Sequence, residues 1–178
     1  MAHHITIETP RLLLRPLTVA DAPAVFAWGS DPEVNRYMAY LLERSVADAE
    51  AWLRQVEQAD GRSDYDFGFV RKADGLLIGS GGVYRRKKEF WRRPWWVLGY
   101  NLRRDCWGQG YATEAARAML DFARTQRGAR IFLAEHAVDN PASGRVMEKC
   151  GMKCEGAGQY AKLDGSQIFQ TRRYRLEV

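Results

Sequence analysis

The feature that most constrains the fold is a strand, a turn, a helix and a strand in direct succession in the second half of the chain. An apolar run predicts a strand over residues 95–102, which leads into a turn with two glycines over residues 107–113. Apolar residues then recur at helical spacing until Gly128, which fits the end of a helix. A second apolar run predicts a strand over residues 130–135. Because a strand, a crossover helix and a strand favour parallel pairing, these two strands are expected to be parallel neighbours.

The rest of the chain alternates between strand and helix patterns. Three helix starts carry side chains suited to capping free backbone amides: Thr18 with Asp21, Ser45 with Asp48, and Asn140 before a proline. Strand patterns bounded by turn residues occur at 11–15, 65–71, 76–84, 152–160 and 168–176. These elements predict an α/β (α+β) fold with a mixed sheet. A chain of 178 residues is long enough for one core and too short for two ordinary domains, so residues 1–178 are expected to form a single domain.

Composition argues against several classes of protein. No apolar run approaches the length of about eighteen residues that a membrane span needs, and no signal peptide is visible. A cytoplasmic protein without membrane contact is therefore expected. The three cysteines cannot all pair within the chain, which indicates a reducing compartment. Cys150, Cys154 and His136 supply at most three of the four ligands that zinc prefers, so no metal is expected.

The net charge of +5 is concentrated in one stretch, the basic run. Residues 85–93 contain six basic residues and one acid, which alone account for +5. Phe90 and Trp91 lie inside the basic run, so a surface that tracks phosphates and stacks bases is one interpretation. A solvated loop, or a rim that attracts an anionic ligand, is the favoured one, because the rest of the chain carries no basic stripe. Nucleic acid is therefore not expected as a partner.

The glycine-containing turn has the chemistry of an anion site. Small residues at the start of a long helix leave its amides and the positive end of its dipole accessible to a phosphate. The turn is not a P-loop, because no Gly-Lys-Ser/Thr follows, and it lacks the third glycine and the downstream acid of a dinucleotide site. The helix start at Asn140 and Ser143 is expected at the same edge of the sheet. Taken alone, each of these two helix starts is also explained by an ordinary turn or N-cap without a ligand.

Three segments together resemble a known family. They are residues 7–15, residues 98–115 and residues 140–152. In this order and spacing they resemble the GNAT superfamily of N-acetyltransferases, and within it the branch of the ribosomal-protein N-terminal (alanine/serine) acetyltransferases. The resemblance implies a mixed, mostly antiparallel sheet whose central parallel strands splay apart, flanked by helices. It also implies acetyl-CoA as cosubstrate and the transfer of an acetyl group to a primary amine.

The resemblance gives roles to residues along the expected cofactor path. The backbone of Asn101 and Leu102 would pair with pantetheine, and the turn would hold the pyrophosphate through its amides. Asn140 and Ser143 match residues that this branch places beside the cofactor. The turn residues implied are Trp107, Gly108, Gln109, Gly110, Tyr111, Ala112 and Thr113.

Two catalytic positions of the wider family are vacant in this sequence. The glutamate base of the family falls at Val97 and its tyrosine acid at Met147, and neither of these side chains transfers a proton. We predict Glu135 or His136 as the base, directly or through water, although a polar strand edge also explains both. Ser143 is the predicted donor to the sulfur. Direct transfer is expected, without an acetylated cysteine.

The acceptor is less constrained than the cofactor. A protein N-terminus or a small-molecule amine is expected, with Trp28, Tyr37 and Trp95 as candidate contacts among aromatic residues that mostly belong to the core. The alternatives are a longer acyl donor such as succinyl-CoA, transfer to a hydroxyl, or a non-catalytic module that binds CoA or RNA. The resemblance is compatible with a monomer and with a homodimer.

Overall fold

A computed structural model describes residues 4–58, 61, 63–88 and 93–178, so Phe90 and Trp91 lie outside the described residues. The strands in this part are β1 (Ile7–Glu8), β2 (Leu12–Arg15), β3 (Asp64–Arg71), β4 (Leu77–Arg86), β5 (Trp95–Leu102), β6 (Ile131–Ala137), β7 (Lys153–Ala161) and β8 (Ile168–Glu177). They form one eight-stranded sheet in the order β1-β2-β3-β4-β5-β6-β8-β7. β5 and β6 are parallel, and the other neighbouring pairs are antiparallel. The predicted mixed, mostly antiparallel sheet is confirmed.

Helices lie on both faces of this sheet. They are α1 (Ala22–Gly29), α2 (Pro32–Asn35), α3 (Val46–Gln58), α4 (Tyr111–Arg127) and α5 (Pro141–Lys149), with short 3-10 turns at Val19–Asp21 and Arg104–Cys106. The predicted capping pairs are present: the Thr18 amide donates to Asp21 Oδ2 at 2.8 Å, and the Ser45 amide donates to Asp48 Oδ2 at 3.0 Å. Neither β1 nor α2 follows from the sequence patterns above.

The two faces of the sheet are covered differently. α4 and α5 cover one face, where the rings of Tyr65 and Phe67 meet Phe122 at centroid distances of 5.1 and 5.8 Å. α1 and α3 cover part of the other face and enclose a smaller apolar cluster that includes Leu17 and Leu53. Removal of these apolar side chains from water is the main force that holds the layers together.

The parallel pair is short, and its strands separate beyond it. The only paired positions of β5 and β6 within the described residues are Trp96 with Phe132 and Val97 with Leu133. Further along, β5 stays paired with β4 and β6 stays paired with β8. The facing edges of β5 and β6 therefore diverge and leave backbone groups without a strand partner. The predicted splay of the central strands is confirmed.

The described residues also show three simple properties that bear on function. None of their helices combines the length and the apolar character that a membrane crossing requires. Within the same ranges, no three His, Cys, Asp or Glu side chains lie close enough together to hold a metal ion. Cys106, Cys150 and Cys154 are free thiols.

Candidate active site

The turn at the start of α4 leaves backbone amides uncapped. Gly108 and Gly110 have φ angles of 73° and 82°, in the left-handed region that favours glycine. Gly110 is the N-cap and has no side chain to cap the helix, and the Glu114 amide donates to the Gly110 carbonyl at 3.1 Å. The amides of residues 111–113 precede this bond and have no acceptor within the helix. They can therefore bind an anion.

Arg11 and Glu114 fasten this turn to the start of β2. Glu114 Oε1 accepts hydrogen bonds from Thr9 Oγ1 at 2.7 Å and from the Arg11 amide at 2.8 Å, and Arg11 Nε donates to Oε2 at 2.7 Å. Arg11 Nη1 also donates to the Gln109 carbonyl at 2.9 Å. Burial raises the pKa of Glu114, but the hydrogen bonds from Thr9 and Arg11 outweigh it and leave the pKa below its ordinary value. The carboxylate therefore stays charged at neutral pH and holds the turn in place.

Two side chains of the turn bond to backbone nearby. Trp107 is 47% exposed, and its Nε1 donates to the Leu102 carbonyl at 2.9 Å. Gln109 Nε2 donates to the Asp105 carbonyl at 3.0 Å. Both side chains therefore stabilise the loop, and the Leu102 carbonyl, predicted to face pantetheine, already has one donor.

Tyr100 links β5 to α5 at the splay. Its hydroxyl donates to the Ser143 carbonyl at 2.9 Å and lies 3.1 Å from Ser143 Oγ. Burial raises the pKa of Tyr100, so the hydroxyl keeps its proton at neutral pH. Asn140 caps α5 by accepting from the Ser143 amide at 3.4 Å. Tyr100 was not among the residues predicted from the sequence, although strand alternation places it on the same face as Leu98, under α4 and α5.

Glu135 and His136, the two predicted bases, project from opposite faces of β6. His136 is 5% exposed and packs against Gly144 of α5, where a Cβ would lie 2.6 Å from His136 Nε2. Its Nδ1 lies 2.7 Å from the Ala137 carbonyl, which places the ring proton on Nδ1 and leaves Nε2 without a partner among the described residues. Glu135 is exposed, and its Oε2 accepts from Thr171 Oγ1 at 3.0 Å. The structure does not bring these two side chains together.

The face that carries Glu135 is open beside the splay. Cross-strand register places Asp66, Tyr84, Val97 and Gly99 on this face, and all four are half-buried. The apolar residues that alternate with them on the other face are at most 4% exposed: Tyr65, Phe67, Val83, Trp96 and Leu98. We call the first surface the open face. It leads directly to the diverging edges of β5 and β6.

Two hydrogen-bonded groups line the open face. The Tyr84 hydroxyl donates to Asp66 Oδ1 at 2.6 Å, and burial raises the pKa of both side chains. Asn101 Nδ2 donates to the Tyr40 hydroxyl at 2.8 Å, and Ser80 Oγ donates to Asn101 Oδ1 at 3.3 Å. The side chain of Asn101 thus joins β5 to the segment before α3. Tyr40 is one of the aromatic residues in the segments expected to form the acceptor site, whereas Asp66 and Tyr84 were not predicted, because their proximity depends on strand register.

The three predicted acceptor contacts have different environments. Trp28 is 3% exposed and belongs to the smaller apolar cluster, which leaves little of its surface for a ligand. Trp95 is half-buried and alternates onto the open face with Val97. Tyr37 packs edge-on against Phe169 of β8 at a centroid distance of 6.2 Å, where the loop after α2 meets the last hairpin.

The chain is similar to known acetyltransferases over most of its length. Residues 11–153 match the family model described as acetyltransferase (GNAT) domain. The uncharacterized N-acetyltransferase YnaD of Bacillus subtilis (strain 168) is 31% identical over 173 residues, which are 97% of this chain and 96% of that protein.

Solved structures share the fold. The Microcin C7 self immunity acetyltransferase MccE, in complex with acetyl-CoA and AMP, has a TM-score of 0.80 at 16% identity and covers 96% of this chain and 94% of its own. The ribosomal-protein-S5-alanine acetyltransferase from Vibrio fischeri has a TM-score of 0.75 at 18% identity, with 97% and 96% covered.

The sheet of this chain divides between β5 and β6, next to a turn with uncapped amides. The chain belongs to the GNAT acetyltransferase family, and it is an acetyltransferase enzyme. The resemblance found in the three sequence segments is therefore confirmed.

Proposed function

We propose that the protein transfers an acetyl group from acetyl-CoA directly to a primary amine. The observation that carries this proposal is the splay, because it connects the uncapped turn of α4 with the open face. A donor in the splay would meet an acceptor on the open face. Proximity of this kind can lower a reaction barrier by about 7–11 kcal/mol without a covalent enzyme intermediate.

The described residues fit the cofactor. The amides at residues 107–113 would hold its phosphates, since Gly110 supplies no cap and the turn is fixed by Glu114. The unpaired edge of β5 at Asn101 and Leu102 would pair with the pantetheine, and Asn140 and Ser143 would lie along it. When bound, acetyl-CoA supplies the activated thioester.

Proton donation to the departing sulfur is assigned to Ser143. Its Oγ lies 3.1 Å from the Tyr100 hydroxyl, which keeps its proton because burial raises its pKa. Tyr100 therefore acts as a positioning residue that orients Ser143. A serine hydroxyl is a weak acid, and the Tyr100 oxygen, whose proton is donated to the Ser143 carbonyl, accepts from Ser143 Oγ, so the contact fixes the position of the serine hydroxyl rather than its acidity.

Proton removal from the amine is assigned to the open face. An α-amino group with a pKa near 8 is only about one-tenth neutral at pH 7, so a carboxylate that binds the ammonium and accepts its proton is useful. Glu135 is the exposed carboxylate on this face, and Asp66 is the half-buried one, with a pKa raised by burial. His136 is enclosed by α5, and we assign it to the support of that helix rather than to contact with the amine.

The acceptor class follows from the charge of the open face. Asp66 and Glu135 are two carboxylates on this face, and their negative charge supports the attraction of a cation. We propose a protein N-terminus or a small-molecule amine as acceptor, with Trp95 and Tyr37 at the rim. Residues 1–178 act as one domain in the cytoplasm, where free cysteines persist, as a monomer or homodimer.

The first experiment measures thermal unfolding with acetyl-CoA, succinyl-CoA, CoA and NAD. At a hundredfold excess over its dissociation constant, a ligand adds about 2.7 kcal/mol, and each kcal/mol raises the melting temperature of a chain this size by roughly 2–4 °C. A rise of several degrees with acetyl-CoA and none with NAD is expected. A melting temperature that stays at the ligand-free value with every CoA compound would overturn the proposal.

The second experiment measures release of CoA from acetyl-CoA with a panel of N-terminal peptides and small amines. Glu135→Gln and Asp66→Asn are expected to lower kcat/KM and to keep the shift caused by acetyl-CoA. Glu155→Gln is the matched control, because it removes an exposed carboxylate of β7 that makes only a loose ion pair of 3.5 Å. Turnover at the wild-type level in both test variants would refute the assigned bases, and an acetylated cysteine would refute direct transfer.

A further inference from the structure

Four arginines from separate parts of the chain surround one cavity. Its volume is about 160 Å³, and its lining includes the buried residues Trp96 and Ala129. The arginines lie near the end of β4, before β5, at the end of α4 and before β6: Arg85, Arg93, Arg127 and Arg130. We call this the arginine cavity. Two of its members, Arg85 and Arg93, are the ends of the basic run.

The charges of the arginine cavity have no acidic partner within the described ranges. Of the fifteen other described arginines, ten pair with a carboxylate: Arg11, Arg15, Arg36, Arg54, Arg71, Arg86, Arg103, Arg104, Arg124 and Arg175. A guanidinium is always charged, so the residues that line this one space carry four like charges. The C-terminal end of α4 contributes only about half a negative charge there.

One member of the cavity is held in place by aromatic rings. The guanidinium of Arg127 lies 5.1 Å from the ring centre of Tyr65 and 5.5 Å from that of Phe122. Contact with the ring faces restrains the guanidinium, while the N–H groups at its edge can still bind an oxyanion. The cavity thus includes a partly preorganised donor as well as a concentration of charge.

The arginine cavity is separate from the cofactor turn. It lies where β5 begins, whereas the turn at residues 107–113 follows the end of β5. Seven residue steps along the strand separate Trp95 from Leu102, which corresponds to roughly 23 Å. An anion bound at one end is therefore a different ligand from an anion bound at the other.

We propose that the arginine cavity is a second anion site, which binds phosphate groups. Several guanidinium groups can share one phosphate, because its oxygens accept more hydrogen bonds than a single arginine donates, and its charge offsets more than one of theirs. The ligand is a compact phosphate compound or the phosphates of a polyanion. The site does not depend on the acetyl transfer proposed above.

Pyrophosphate is the probe, with thermal unfolding as the measurement. Each titration is compared with sodium chloride of equal ionic strength, and it is run without CoA and with saturating CoA, which would occupy the cofactor turn. A rise in melting temperature that persists with CoA is expected. No rise, or a rise that CoA abolishes, would overturn the proposal, since the only anion site would then be the turn.

Variants that remove one positive charge each test whether the anion binds in the arginine cavity. Arg85→Gln and Arg130→Gln are each expected to weaken pyrophosphate binding roughly five- to tenfold. Arg54→Gln is the matched control on α3, where the arginine is 56% exposed and paired with Glu50. Without anion, the two test variants are expected to melt no lower than wild type, because each removes one like charge from the cavity. Equal pyrophosphate affinity in all three variants would refute the location.

A short RNA oligonucleotide at equal phosphate concentration distinguishes the source of the phosphate. If the same two variants weaken RNA binding, and the affinity falls steeply with salt, the phosphates belong to a nucleic acid. If only pyrophosphate binding depends on Arg85 and Arg130, the ligand is a small phosphate compound. Either result supports a phosphate site in the arginine cavity.

Discussion

Replacement of Glu114 tests whether the turn of α4 needs its bonds to Thr9 and Arg11 in order to bind the cofactor. Glu114→Ala removes the acceptor of three hydrogen bonds, from Thr9 Oγ1, the Arg11 amide and Arg11 Nε. The pair with Arg11 Nε contributes little, because the Arg11 side chain is 46% exposed and solvent screens it. The Thr9 hydroxyl loses a charged acceptor in a partly buried place and the Arg11 amide loses the same acceptor at an exposed position, at a cost of about 1–2 kcal/mol each.

Glu114→Ala is therefore expected to lower the free energy of unfolding by about 2–4 kcal/mol, or the melting temperature by roughly 4–16 °C. Asp121→Ala on the same helix is the control, because Asp121 is 63% exposed and pairs only with Arg124. The acetyl-CoA dissociation constant is expected to rise in the first variant and not in the second. Unchanged melting and unchanged acetyl-CoA affinity in Glu114→Ala would refute the reasoning.

The charge of Glu114 is expected to give the stability a pH dependence, which Glu114→Gln tests. Because the folded state lowers the pKa of Glu114, its charged form stabilises the fold above the unfolded pKa of about 4.3, and this contribution disappears as pH falls through the lower folded value. The difference in unfolding free energy between wild type and Glu114→Gln is therefore expected to be largest near neutral pH and to shrink below about pH 4. A difference that is constant from pH 7 to pH 3 would show that the charge of Glu114 is not the stabilising factor.

Three further variants test other parts of the site. Glu43 precedes α3, and burial and the nearby carboxylate of Asp48 raise its pKa from the ordinary 4.5 to about 6. Stability is therefore expected to fall as pH rises from 4.5 through 6, and Glu43→Gln should melt roughly 2–4 °C above wild type at neutral pH but not at pH 4.5. Gly110→Ala places a side chain at a φ of 82°, which costs about 1–2 kcal/mol, and it should weaken acetyl-CoA binding, whereas Gly128→Ala at a φ of 67° should cost similar stability without that effect. Tyr100→Phe should lower kcat about tenfold at unchanged acetyl-CoA affinity, because it removes the hydroxyl that contacts Ser143 Oγ, whereas Tyr174→Phe, which removes a hydrogen bond to Glu148 of the same helix, should leave kcat unchanged. A wild-type kcat in Tyr100→Phe would remove Tyr100 from the mechanism.

Most elements of the fold were predictable because their signals are local. An acid three residues after Thr18 or Ser45 bonds back to the helix start, and Gly128 ends α4 at a left-handed φ of 67°. β1 escaped prediction because its two residues are a strand only through pairing with β2. α2 has four residues, too short for a periodic pattern, and Asp31 caps it by accepting from the Glu33 amide at 2.9 Å.

The site was predictable only where one segment carries it. The turn at residues 107–113 is visible in the sequence because its two glycines, Gly108 and Gly110, are separated by only one residue. The bonds of Glu114 to Arg11 and of Tyr100 to Ser143 join residues 103 and 43 positions apart, so no local sequence pattern predicts them. Strand alternation was sufficient to predict opposite faces for Glu135 and His136, but only the packing of α5 shows which face is closed.

The arrangement of charge along β5 explains why the net charge of the chain says little about its substrate. At the start of β5, four arginines without an acidic partner among the described residues produce a positive region. Beyond the parallel pair, Asp66 and Glu135 give the open face negative charge, and the uncapped turn of α4 is again positive. A salt-screened field reaches only about 8–10 Å, so these regions act independently on ligands. An amine and a phosphate can therefore be attracted to the same +5 chain at different places. The ends of the basic run identified in the sequence accordingly contribute to the arginine cavity, and the proposed acceptor class rests on two carboxylates that lie outside that run.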